Sequence, residues 1–117
     1  MQKCLFFFTI VITIVCNNSC QNKKRIYNLL QSDNKDDIIR GAYLAGESED
    51  STYVPLLLKN AWDARMSTSL SFKGFTVYQE KMFALKRICK REPPVPITYL
   101  PDSAVILFYS KLFQENK

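Results

Sequence analysis

The feature that most constrains the fold is the apolar run Leu5 to Val15, broken only by Thr9 and Thr13. Lys3 precedes it, and the polar block Cys16-Asn17-Asn18-Ser19-Cys20-Gln21-Asn22-Lys23-Lys24-Arg25 follows. A basic start, a short hydrophobic stretch and a polar segment with small residues are the three parts of a secretory signal peptide. A transmembrane helix needs roughly twenty apolar residues at 1.5 Å of rise each, and this run falls well short. A core helix or strand is the other alternative, but Asn, Ser, Gln and Lys follow where a second amphipathic element would be needed. Export therefore sets residues 1–19 aside as a signal and leaves 20–117 to fold.

Ser19-Cys20 resembles the lipobox of bacterial lipoproteins, in which a small residue precedes the cysteine that is acylated and becomes the mature N-terminus. The resemblance implies lipid attachment at Cys20 and a bacterial cell-envelope location, with membrane lipid as a partner. A tether and a short helix would occupy residues 20–34. Each buried methylene of an acyl chain contributes about 0.8 kcal/mol, so two or more chains hold durably. Cys16 is the alternative lipid site, and a secreted or periplasmic soluble protein is the alternative destination.

After such processing Cys89 is the one remaining thiol, and it falls on a helical apolar stripe as a small hydrophobe. No zinc, iron-sulfur or thioredoxin-like spacing occurs, and the absence of histidine removes imidazole bases and His-containing metal sites. No cofactor is expected. Removal of Lys3 lowers the formal net charge from +5 by one unit, a weak preference for anionic partners.

The rest reads as all-α. Ile38, Ile39, Ala42 and Tyr43 give Asp36 to Leu44 a buried helical face, with Asp33, Asp36 and Asp37 near its N-terminus. Gly46-Glu47-Ser48-Glu49-Asp50-Ser51 reads as a break. A second helix is expected from Tyr53 to Trp62 or Ala64, with Pro55 in its first turn and Tyr53, Leu57, Leu58, Ala61 and Trp62 inward. Met66 to Thr76, rich in hydroxyl groups, reads as a long loop pinned by Phe72 and Phe75, with a small hairpin as the alternative. Tyr78, Met82, Leu85 and Cys89 define a helix over Val77 to Lys90. Pro93-Pro94-Val95-Pro96 is a stiff spacer. Asp102 or Ser103 then caps a closing helix through about Phe113, expected to be buried.

Ile39 to Gly46, Tyr53 to Leu58, Trp62-Asp63 and Lys81 to Ile88 resemble successive parts of HEAT-like repeats, the match being carried by Arg40, Pro55, Asp63 and Ala84-Leu85. The resemblance covers roughly Asp36 to Arg91. It implies a short HEAT-like array of about four helices over residues 35–117, with an enlarged turn at Arg65 to Thr76. Such units stack and mostly bind other macromolecules, although fold alone does not fix function.

These readings converge on an exported, membrane-tethered protein-protein interaction module without catalytic activity. Its candidate partner-binding residues are Phe72, Lys73 and Phe75 in the loop and Lys86, Arg87, Lys90 and Arg91 on the following helix. Aromatic and basic groups together suit an acidic protein partner, an envelope or secreted protein. One version is an immunity or inhibitor protein against an exported toxin. The alternative is a small envelope hydrolase or carbohydrate-processing enzyme. Ser32-x-x-Lys35 has the spacing of a serine–lysine nucleophile pair, and Asp36, Asp37, Glu47, Glu49, Asp50 and Asp63 offer carboxylates. The missing K-T-G signature and the helix-start position of these residues weigh against it. Nucleic acid is disfavoured by export and by the lack of a recognised motif.

Overall fold

Asn34 opens the first long helix. Its side chain accepts the Asp36 amide, satisfying a donor that a helix start leaves free, and Asp36 and Asp37 place negative charge at the positive helix end. In the computed structural model, which describes residues 20–115, this helix follows an earlier helical segment at residues 20–30, here α1. Then come α2 (Lys35–Ser48), a 3-10 turn (Ser51–Tyr53), α3 (Val54–Leu58), α4 (Val77–Cys89) and α5 (Ser103–Glu115). The architecture is all-α, as the sequence implies. The signal peptide assigned to residues 1–19 lies outside the described residues.

Residues 20–25, assigned to the tether, are helical, and α1 buries Ile26 and Leu30 in the main core. Gly41 admits α1 closely, since a Cβ there would lie 2.9 Å from the Leu29 Cβ.

The break expected over Gly46 to Ser51 falls late in that tract. α2 continues to Ser48 and ends at Glu49 in the left-handed region, φ 55°. Gly46 serves packing instead of termination, because a Cβ on it would lie 3.0 Å from the Ala84 Cα where α2 crosses α4. The cost of glycine to helicity is offset by this close crossing.

α3 is shorter than expected. It stops at Leu58, Asn60 takes φ 52°, and Trp62 is 60% exposed instead of facing the core. Two long-range hydrogen bonds explain the early end. The Lys59 carbonyl accepts a 2.8 Å bond from the buried Lys81 ammonium, and the Asp63 carbonyl accepts one of 2.8 Å from the Tyr78 amide. Both turn the chain toward α4.

α4 follows the expected stripe over Tyr78, Met82 and Leu85, which are fully buried, while Cys89 at its end is only partly buried. Thr76 caps it in a reciprocal box with Gln79. α5 begins where Asp102 accepts the Ala104 amide at 2.8 Å. Only one stripe of α5, Val105 and Tyr109, is fully buried, and Leu107 is 56% exposed, so the helix closes the core with one edge instead of being enclosed. The Tyr109 hydroxyl donates to the Arg91 carbonyl at 2.9 Å, pinning the start of the proline spacer.

Candidate functional site

The loop between α3 and α4 is held at its neck by backbone bonds. Ser67 N–H donates to the Phe75 carbonyl at 2.8 Å, and Val77 N–H to the Arg65 carbonyl at 3.0 Å. A single antiparallel bridge, Met66 with Thr76, closes it; among the described residues no strand forms. The loop reading holds and the hairpin does not develop, because the chain turns again at once. Phe72 N–H reaches the Ser69 carbonyl, Phe75 N–H the Phe72 carbonyl, and Gly74 takes φ 87°.

A second fastening comes from α2. Asp36 accepts a 2.7 Å hydrogen bond from the Ser67 hydroxyl, with further bonds from the Thr68 amide and hydroxyl at 3.2 Å each. Lys35 bridges Asp36 and Thr68 at 3.4 and 3.2 Å. The Ser67 hydrogen bond leads the effects that hold the Asp36 carboxyl at about 2. Near the loop's start, Asp63 and Arg65 form a forked ion pair with a shortest contact of 2.7 Å, and Arg65 also donates to the Asp33 carbonyl at 2.9 Å.

Thus fixed, the loop lays two aromatics along a groove of about 640 Å³. Phe72 packs against the small core of Ile38, Ile39 and Val77 and meets the Tyr43 ring with centroids 5.6 Å apart. Phe75 meets Phe83 of α4 edge-on at 6.3 Å. Of the residues singled out from sequence, Phe72, Phe75, Lys86, Arg87 and Lys90 line this groove, while Lys73 and Arg91 do not. Lys73 sits exposed at the loop tip and Arg91 exposed at the head of the spacer. Cys20 is exposed in α1.

The basic cluster is matched by acids. Arg87 pairs with Glu47 at 2.6 Å, Lys86 with Glu92 at 3.0 Å and Lys90 with Glu49 at 3.5 Å. The Arg87 guanidinium also lies 5.7 Å from the Tyr43 ring centroid. Exposed pairs of this kind are individually worth little, but they remove the surplus positive charge that the sequence suggests.

Sequence reasoning missed Phe83 and Glu80 and placed Tyr43 on the buried face of α2, whereas it is 37% exposed and lines the groove. Phe83 carried a signal, being a large aromatic one residue off the apolar stripe of α4. Glu80 carried none: a glutamate in a first helical turn reads as a solvated group favouring the dipole, whereas this one is 7% exposed. Burial pushes its carboxyl up, opposed by Arg87.

Ser32 and Lys35 do not meet as a nucleophile pair. The Ser32 hydroxyl donates to Asp37 at 3.0 Å, and Lys35 is engaged with Asp36 and Thr68. Asp50 caps the 3-10 turn, and Asp63 is committed to Arg65. Among the described residues no three His, Cys, Asp or Glu side chains gather to hold a metal ion, and no helix is long and apolar enough to cross a membrane.

Lys81 lies 3% exposed beside a second cleft of about 450 Å³, and burial lowers its ammonium to about 8 against the opposing charge of Asp63. Its bond to the Lys59 carbonyl gives it a structural task.

Compared with protein-family models, with curated proteins and with solved structures, the chain matches none.

Proposed function

We propose that the chain is an exported protein-protein interaction module without catalytic activity, tethered to the cell envelope through acylated Cys20, and that the aromatic groove is its partner surface. One observation carries the reading: Asp36 ties the neck of the 66–76 loop to α2, so that Phe72 and Phe75 stand beside Tyr43 and Phe83 along one groove. Loops fixed on a rigid scaffold are the usual carriers of recognition, and half-exposed aromatics are favoured anchors at interfaces. The HEAT-like resemblance is part of the same proposal. Its support is that Pro55 opens α3, Ala84 receives Gly46 at a close helix crossing, and the enlarged turn forms a fastened loop.

The test is capture of envelope proteins by the full-length lipidated chain, repeated with Phe75→Ala and Lys73→Glu. A discrete partner that Phe75→Ala abolishes is the expected result. Capture undiminished by Phe75→Ala overturns the groove as the partner surface.

A further inference from the structure

Resting on that reading, we propose that the groove receives a basic side chain, lysine or arginine, of a protein partner, with Glu80 as the counter-ion at its floor. The sequence points instead to an acidic partner. The difference rests on how the charges around the groove are matched.

Glu80 lines the groove yet is only 7% exposed, and among the described residues its carboxylate has neither an ion pair nor a side-chain hydrogen bond. The three bases of the rim are already matched, to Glu92, Glu47 and Glu49. Arg87, whose charge partly opposes the upward shift of Glu80, makes its ion pair with Glu47 at 2.6 Å and lies 5.7 Å from the Tyr43 ring centroid. Counting the groove with these paired acids, Glu80 is the one charge left over. An incoming anion would meet that carboxylate, and the rim bases it could pair with already have acid partners. An incoming cation gains Glu80 and breaks nothing.

The walls favour the same occupant. Tyr43, Phe72, Phe75 and Phe83 line the same groove, and aromatic rings attract ammonium and guanidinium groups and shelter the alkyl stem behind the charge. A groove of about 640 Å³ lies in the size range that takes a side chain with its flanking residues. Most of Glu80 is buried while its carboxylate meets the groove without a protein partner, and pairing it with a hydrogen-bonding cation would supply a charge-assisted bond that it lacks in the free protein. Burial also pushes the Glu80 carboxyl up, the direction expected of an acid awaiting a partner.

The experiment uses the full-length protein in detergent micelles and a random peptide library displayed on phage. Enrichment of peptides with a central Lys or Arg beside apolar residues is expected. A synthetic representative should lose about tenfold in affinity when its arginine is replaced by citrulline, and a similar factor with Glu80→Gln. Glu80→Gln preserves the side-chain shape, and Phe75→Ala, on a residue 36% exposed, is the second variant should the first fail to fold. Peptides that bind in a Phe75-dependent way but lack a basic residue, or that bind Glu80→Gln unchanged, overturn the counter-ion proposal and leave the groove reading standing. A library with no Phe75-dependent binder overturns both.

Discussion

Asp36 and Ser67, separated by 31 positions, are joined by a 2.7 Å hydrogen bond that fixes the loop neck to the start of α2. Its consequence is a pH dependence. The folded Asp36 carboxyl sits at about 2, below its ordinary 3.8, so its contribution is present above pH 3.8 and is lost as pH falls toward about 2. The Ser67 and Thr68 amide resonances should titrate with a midpoint near 2 in that window, and Asp36→Asn should remove the titration and speed amide exchange in the neck at neutral pH.

Gly46 should resist any side chain. Its Cβ position lies 3.0 Å from the backbone of Ala84, so Gly46→Val must open the α2 and α4 crossing, at a cost of about 1–3 kcal/mol. Urea unfolding of the variant against the parent measures it, and an unchanged midpoint would show that the helices separate freely.

Much of this was legible in the sequence. The stripe of Tyr78, Met82 and Leu85, the Asp102 cap and the pinned loop all follow from local pattern, because each is decided by residues within a few positions. That α2 runs on through Gly46 and ends only at Glu49 is not legible for a different reason: Ala84, against which Gly46 packs, is 38 positions away, and a packing glycine has the same letter as a terminating one. Trp62 was misplaced likewise, since α3 is ended by the side chain of Lys81. Of the site, Phe72, Phe75 and the basic residues could be picked out, whereas Glu80 and the acids that neutralise the rim could not. Their burial and pairing are properties of the assembled helices.

Lys81 gives a second pH signature of opposite sense. Its folded value is lowered to about 8 from 10.5, so the buried charge is a cost below about 8 that is relieved as pH rises toward 10. Stability should therefore climb across that window, by on the order of 2 kcal/mol. Above it the buried Tyr53, Tyr78 and Tyr109, whose hydroxyls are pushed up by desolvation, reverse the trend. Lys81→Met should abolish the climb in denaturant titrations at successive pH values.

The proposed lipid attachment makes a prediction of its own. Mass spectrometry of the mature N-terminus should find Cys20 carrying acyl chains, and Cys20→Ala should release the protein from membranes; an unmodified start elsewhere would refute lipid attachment.

The groove as partner surface is tested most directly by placing a photoreactive residue at Lys73, at the loop tip, in the full-length protein in its source cells. Irradiation should yield one discrete crosslinked protein, and adding Phe75→Ala should eliminate it at a stability cost of about 1 kcal/mol or less. A crosslink that survives Phe75→Ala, or a discrete partner caught only when the photoreactive residue is moved to Leu107 on the exposed side of α5, would contradict it.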